Sequence, residues 1–450
     1  MAVQFTRRDP GRDSPADETF QPFLPQRILD RHGARVLNPS AAVVAAGWAR
    51  PRPTVYRSAS LLIPEDVLRD TETLNMINRI LGEAGLQLVL PPPLSRLGED
   101  LLPYLDYLDQ LPRAVTLRVR PGAAPTEVDS WVALQRLRAA ASGDQPMLPV
   151  AVVERISIEH LLTSTVTMSG TPGSWESSGS TAANGSYVRR SAGNRIAVAL
   201  ALPPPHRHPV SELTDRRPVI AVLDSGIAPH PWFGIADRTQ PPPADGFLAV
   251  LPGLQQAILT QEEYQANWQP TQLLLDYWDA PVSSEPLVGD VDTDTGHGTF
   301  IAGIIRQVAP DATVLAVRVT HSDGVIYEGD VLLTLWRIAA QVRLAQHNDG
   351  SWVHHWATGA AVVSTYPIDV QGSARPDHDV PGRHRDSLDP DDFRAGFAVW
   401  DGTSFAAPLG AARLADALLR DVATDPSLGL AATDRQVMVE RASAAWKTID

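Results

Sequence analysis

The chain has 450 residues, enough for two or more domains with buried cores. Its 44% apolar and 20% charged residues are ordinary for a globular protein, and the absence of cysteine excludes disulfides and thiolate metal sites. A formal net charge of −14 argues against a nucleic-acid partner, because such a surface needs a basic patch.

The N-terminal sequence bears on localisation. The first 20 residues are polar and of mixed charge, without the apolar segment of a secretory signal. No apolar run approaches the length that crosses a bilayer. We therefore expect a cytoplasmic protein with no membrane partner, unless the natural N terminus lies upstream of Met1.

The first third of the chain predicts an α+β domain. Residues 1–50 are rich in Pro, Arg and Asp and predict a loosely ordered leader, whereas residues 51–165 carry alternating strand and helix patterns. The predicted elements are a strand over Val55–Ile63, a helix over Pro64–Leu81, strands over Leu86–Leu90 and Ala114–Val119, a helix over Pro125–Ala141 and a strand over Val150–Ile158. This βαββαβ order is typical of a ferredoxin-like fold.

Residues 166–215 predict a linker, because they are rich in Gly, Ser and Pro. His206 and His208 lie in its Pro-rich part without further metal-ligating residues nearby, so we interpret them as solvated. The remaining residues, 216–450, form the predicted C-terminal domain.

An aspartate follows the first strand pattern of that domain. The apolar run Pro218–Leu223 predicts a parallel strand buried on both faces, and Asp224 comes directly after it. Ser225 and Gly226 then turn the chain. Functional side chains concentrate at the carboxyl ends of parallel strands, although a turn-forming aspartate would have the same sequence.

A histidine and a serine occupy two further turns before helices. His297 lies within Gly296–Thr299, ahead of an apolar helical pattern. Ser404 lies within Gly402–Pro408, ahead of a long Ala/Leu helix, where small residues predict close backbone packing. A serine at a helix start is commonly only a cap, but free N–H groups at that end also favour a developing anion.

The three motifs resemble those of the subtilases, the subtilisin-like serine peptidases. The chain order Asp, His, Ser is that of the subtilisin type of triad. The resemblance implies an α/β fold with a subtilisin-like parallel sheet flanked by helices, and an acyl-enzyme mechanism on polypeptide substrates. Asp224, His297 and Ser404 would be the catalytic residues, and the ferredoxin-like domain would resemble a subtilase propeptide that packs on the catalytic domain. Activity would then fall as the pH drops through a histidine pKa, about 6.5 when unperturbed.

The sequence departs from the subtilase pattern between the His and Ser motifs. Subtilases have there a groove-lining strand and an Asn that completes the oxyanion hole, and neither is found. Asn348, the only asparagine after Asn267, is interpreted as part of a helix C terminus stopped by Gly350. The sequence thus resembles a subtilase that lacks an internal block with two central strands, either genuinely or through a gene-model or processing deletion. Loss of the Asn side chain would cost about 10²–10³ in rate, a figure measured in this same family.

Two acidic or charged segments have simpler interpretations. Asp290–Gly296 alternates acids like the start of a calcium loop, but Ile301 stands where an EF-hand needs Glu, so no cofactor is predicted and structural calcium is not supported by a complete motif. Arg375–Arg394 is interpreted as a solvated surface insertion.

Three functional hypotheses follow from the sequence. The first is a serine endopeptidase with the triad above. The second is a catalytically impaired subtilase-like scaffold that binds polypeptide, favoured by the missing Asn and groove strand. The third is a partial chain without independent function, which would unfold without a cooperative transition.

Overall fold

A computed structural model describes residues 24–93, 110–142, 145–163, 195–213, 216–279, 292, 294–342, 362–370, 378–380, 383–385, 393–400, 402–424 and 435–446. Its helices are α1 (Gln26–Arg31), α2 (Glu65–Arg69), α3 (Thr71–Gly82), α4 (Ser130–Ala140), α5 (Val150–Val153), α6 (Pro252–Ala266), α7 (His297–Val308), α8 (Glu328–Val342), α9 (Ala406–Thr424) and α10 (Arg435–Trp446). Its strands are β1 (Ala34–Leu37), β2 (Thr54–Pro64), β3 (Leu86–Val89), β4 (Pro112–Val119), β5 (Ser157–Thr163), β6 (Ile196–Ala197), β7 (Val219–Asp224), β8 (Leu248–Val250), β9 (Thr313–Arg318), β10 (Val325–Tyr327), β11 (Val362–Thr365), β12 (His378–Val380), β13 (Arg383–Arg385) and β14 (Phe397–Trp400). Helices combined with antiparallel and parallel sheets make this an α/β protein in general.

The N-terminal half forms an antiparallel sheet in the order β10-β5-β2-β4-β3, with β1 also paired to β2. The helices α3 and α4 pack on this sheet because their apolar faces, including Ile77, Leu81 and Leu134, are almost completely buried. From β2 to β5 the strands follow the predicted βαββαβ order, except that two helices, α2 with α3 and α4 with α5, stand where the sequence predicts one.

Three predicted elements of this domain differ from the structure. The helix predicted over Pro125–Ala141 begins only at Ser130, where the Asp129 carboxylate accepts from the Trp131 N–H. The single helix predicted over Pro64–Leu81 is divided at Asp70, whose carboxylate accepts a hydrogen bond from the Glu72 N–H and so begins α3. The strand predicted over Val150–Ile158 is wrong in its first part, where the chain forms α5, and β5 begins only at Ser157. A short apolar run does not distinguish a strand from a helix by its periodicity.

The predicted leader and linker both contain ordered elements. Within residues 24–50, α1 contributes Ile28 and Leu29 and β1 contributes Ala34 to a buried cluster, so this part of the leader is structured. Within residues 195–213, β6 pairs with β14. Trp232 Nε1 also donates to the Leu202 carbonyl, which ties this part of the linker to the C-terminal domain. The rest of the predicted leader and linker lies outside the described residues.

The C-terminal half contains a parallel sheet in the order β7-β9-β8. The prediction that β7 is buried on both faces is wrong. Val219 is 61% exposed, and only Asp224 at the end of the strand is buried. Among the described strands, only β9 pairs with β7.

A second small sheet leads to the candidate serine. β14 lies antiparallel between β11 and β6 and ends at Trp400, just before the turn that contains Ser404. Phe300 of α7, Phe397 and Trp400 belong to the buried core that this sheet shares with the parallel sheet. The charged segment 375–394 is described only at β12, β13 and its last two residues, 393 and 394, and β12 and β13 form an antiparallel pair.

The two halves of the chain share buried contacts. β10 of the C-terminal half extends the antiparallel sheet by pairing with β5. Arg57 of β2 is fully buried, lies 3.5 Å from Glu159, and donates to Gln265, the Pro270 carbonyl and Thr271 of the C-terminal half. An arginine buried in this way is stable only because these partners compensate the loss of hydration.

No helix in the described part of the chain is both long and apolar enough to cross a membrane.

Candidate active site

The structure brings Asp224, His297 and Ser404 together from three separate elements. Asp224 ends β7, His297 is the first residue of α7, and Ser404 lies in a single 3₁₀ turn, Thr403–Phe405, before α9. His297 Nδ1 lies 2.8 Å from Asp224 Oδ1 and 3.0 Å from Oδ2, and His297 Nε2 lies 2.8 Å from Ser404 Oγ. The imidazole therefore bridges the carboxylate and the hydroxyl, each within hydrogen-bond reach.

Glycines allow the Asp and His turns to approach each other. A Cβ on Gly298 would lie 2.2 Å from the Gly226 carbonyl oxygen, far inside van der Waals contact. Gly226 and Gly296 adopt φ angles of 101° and 86°, in the left-handed region that favours glycine. The backbone geometry of these two turns therefore requires glycine at positions 226, 296 and 298.

Aromatic side chains surround the imidazole. The ring centroid of His297 lies 5.4 Å from that of Trp400, edge to face, and 5.3 Å from that of Phe405. His297 is 2% exposed, whereas Ser404 is partly exposed. The site is therefore accessible at the serine and shielded at the histidine.

The environment raises the pKa of His297 to about 9. Burial is the largest single influence and disfavours the imidazolium, but the charge of Asp224 and its hydrogen bond, together with the charges of Asp294 and Asp279, outweigh it. The pKa of His297 is therefore higher than the value of about 6.5 that the sequence led us to expect. The structure is arranged to stabilise a protonated His297.

Sequence analysis missed Asp279, which lies beside both functional turns. Its carboxylate is completely buried and accepts hydrogen bonds from the Ser225 hydroxyl at 2.8 Å and from the Gly296 N–H at 2.7 Å. The sequence around it, between Trp278 and Ala280, contains no motif that could have indicated this role.

The acidic segment before His297 has partners within the protein. Asp292 Oδ2 accepts a hydrogen bond from Ser322 Oγ at 2.7 Å and lies 3.6 Å from Arg31 Nη1. Among the described residues, no group of three or more His, Asp or Glu side chains is arranged to hold a metal ion. Asn348, the other residue considered for the site, lies outside the described residues.

Comparison with protein-family models, with curated proteins and with solved structures found no match for this chain. Its function is therefore inferred from the chemistry of the site itself.

Proposed function

We propose that the protein is a serine endopeptidase of the subtilisin-like type, acting on polypeptides. The observation that carries this proposal is the hydrogen-bonded series Asp224–His297–Ser404, with 2.8 Å contacts on both sides of the imidazole. Geometry of this kind, rather than sequence position, is how a Ser-His-Asp triad is recognised.

The mechanism assigns each side chain a role. Ser404 Oγ attacks the peptide carbonyl while His297 Nε2 takes its proton, and the acyl-enzyme forms as the imidazolium returns the proton to the leaving amine. Water then repeats these steps and releases the acid. Asp224 keeps the Nδ1 proton of His297 in place and stabilises the imidazolium.

Two features of the fold support the same proposal. The triad aspartate ends a parallel strand and the serine precedes α9, the placement expected for a subtilisin-like domain. In the antiparallel half, the strand order β5-β2-β4-β3 agrees with a ferredoxin-like domain. We propose that this half has a propeptide-like role in folding or inhibiting the catalytic half.

Covalent labelling with a fluorophosphonate probe tests the proposal. We expect the full-length protein to be labelled, because the probe reacts with a serine activated by a neighbouring base. Labelling should be lost in Ser404→Ala and retained in Ser40→Ala, a matched control at an exposed serine of the N-terminal half.

One observation favours a second function, a scaffold that binds polypeptide without turnover. Among the described strands, β7 has an open edge, and Val219 on it is exposed, so no described strand lines a groove there. A folded protein that is not labelled by the probe would contradict the peptidase proposal and support the scaffold.

A further inference from the structure

The carboxylate of Asp279 connects the two turns that carry the acid and the base. Asp279 Oδ2 accepts from the Ser225 hydroxyl and from the Gly296 N–H. The same Ser225 oxygen accepts from the Gly298 N–H at 2.9 Å. Ser225, Gly296 and Gly298 are therefore linked to the Asp279 carboxylate in one hydrogen-bonded network.

This network holds the Asp224 carboxylate as well as the turns. The Ser225 N–H donates to Asp224 Oδ1 at 2.7 Å, the same oxygen that lies 2.8 Å from His297 Nδ1. A shift of Ser225 would therefore move the oxygen that contacts the imidazole. Three contacts of 2.7–2.9 Å thus reinforce the contacts of His297 Nδ1 with the Asp224 carboxylate.

Burying Asp279 is costly, which suggests that it has a role beyond packing. Asp279 is fully buried, and its Oδ1 atom has no hydrogen-bond partner among the described residues. Burial raises the pKa of Asp279 to about 6, although the nearby Arg318 charge and the hydrogen bond from Ser225 lower it. Replacing such a group by an apolar one is often neutral or favourable for stability, so a buried carboxylate is weak evidence of a stabilising role.

We propose that Asp279 is a positioning residue that sets the geometry of the Asp224–His297 pair through the Ser225 hydroxyl and the Gly296 amide. Its carboxylate accepts hydrogen bonds from Ser225 and Gly296 and makes none with the reacting Ser404. The inference rests on the proposed peptidase function for its kinetic consequence, but the geometry itself is measurable without activity.

Two variants test the Ser225 hydroxyl and the Asp279 charge separately. Ser225→Ala removes the bridging oxygen and leaves the carboxylate. Asp279→Asn keeps the size and one acceptor oxygen but removes the negative charge. Asp237→Asn is the matched control, because it makes the same change at an exposed aspartate.

The first measurement is proton NMR of the His297 Nδ1–H, whose low-field resonance reports the hydrogen bond to Asp224. We expect this resonance to broaden or move upfield in Ser225→Ala and in Asp279→Asn, and to be unchanged in Asp237→Asn. The second measurement is the rate of fluorophosphonate labelling against pH. Each variant should lose about tenfold in its maximal rate, as expected for the loss of one hydrogen bond of this kind.

The pH profile distinguishes positioning from general loosening. Only Asp279→Asn removes a negative charge that favours the imidazolium, so only this variant should move the midpoint of the profile to lower pH. Because both variants break one network, their combined loss should be smaller than the product of the single losses.

The outcomes separate the two proposals. If the resonance, rate and midpoint are unchanged in both folded variants, the positioning role is refuted. If the wild type shows the resonance and the variants weaken it, but no protein is labelled, the peptidase function fails while the positioning role is supported.

Discussion

Gly298→Ala is the substitution that most directly tests the geometry of the site. The added Cβ would lie 2.2 Å from the Gly226 carbonyl oxygen and 3.1 Å from the Gly226 nitrogen. Both are backbone atoms of the turn after Asp224, so no side-chain rotation relieves the contact. Real Cβ contacts essentially never fall below 3.0 Å, so the two turns must separate by at least 0.8 Å, the difference between 3.0 and 2.2 Å.

This separation should act mainly on the contact between Asp224 and His297. A misplacement of about 1 Å in a catalytic group can cost about 10²-fold in rate, and we expect a loss of this order in fluorophosphonate labelling. Overpacking typically costs about 1–3 kcal/mol of stability, offset by up to about 1 kcal/mol because alanine favours the helix more than glycine. The expected net destabilisation, up to about 3 kcal/mol, is of the same order as the free-energy equivalent of the rate loss, about 2.7 kcal/mol, so the labelling rate is compared at a temperature where both proteins are folded.

The assay compares the labelling rate and thermal unfolding of Gly298→Ala with those of Gly410→Ala. Gly410 lies within α9, and among the described residues a Cβ there would meet Trp446 at an ordinary 3.8 Å. This control should therefore keep its labelling rate, and its Tm should stay the same or rise slightly because alanine favours the helix. Wild-type labelling and stability in Gly298→Ala would refute the close approach of the two turns.

Two further predictions concern pH. Because Asp224, Asp294 and Asp279 together raise the pKa of His297, the midpoint of the labelling rate should lie above the ordinary 6.5, towards about 9; a midpoint at or below 6.5 would contradict this electrostatic environment. Burial raises the pKa of Asp330 above its usual range, and the charge of Glu159 raises it further. The folded state therefore holds a proton that the unfolded state releases, and the stability this contributes is lost as the pH rises from about 4 to about 8. Asp330→Asn should accordingly raise the Tm relative to wild type at about pH 9 and have little effect at about pH 5, measured by thermal unfolding; an equal effect at both pH values would contradict the linkage.

The candidate catalytic residues could be proposed from the sequence because each has a local signal. Asp224 follows an apolar strand pattern, His297 opens an apolar helix, and Ser404 precedes an Ala-rich helix. These patterns reflect backbone sterics and side-chain period, which act over a few residues. The strand before Asp224, the helix that begins at His297 and the long helix after Ser404 are all present.

Other features could not be predicted because they depend on partners distant in the chain. Asp279 is 17 residues from Gly296 and 54 residues from Ser225 in the sequence, and no local sequence motif indicates its role. The exposure of Val219 depends on which strands pair with β7, and the apolar run around it gave the wrong expectation of burial on both faces. The sequence likewise did not predict that part of the linker forms the strand β6, because this strand depends on its pairing with β14.

The sequence by itself determined the chemistry available to this protein: a carboxylate, an imidazole and a hydroxyl, each beside a turn that requires glycine or another small residue. Only the tertiary structure decided that these groups lie 2.8 Å apart, that the imidazole is shielded while the serine is partly exposed, and that surrounding carboxylates raise the pKa of His297. The physical reason is that turns and helix starts follow from short-range sterics, whereas burial and electrostatic environment are sums over groups that only folding brings together.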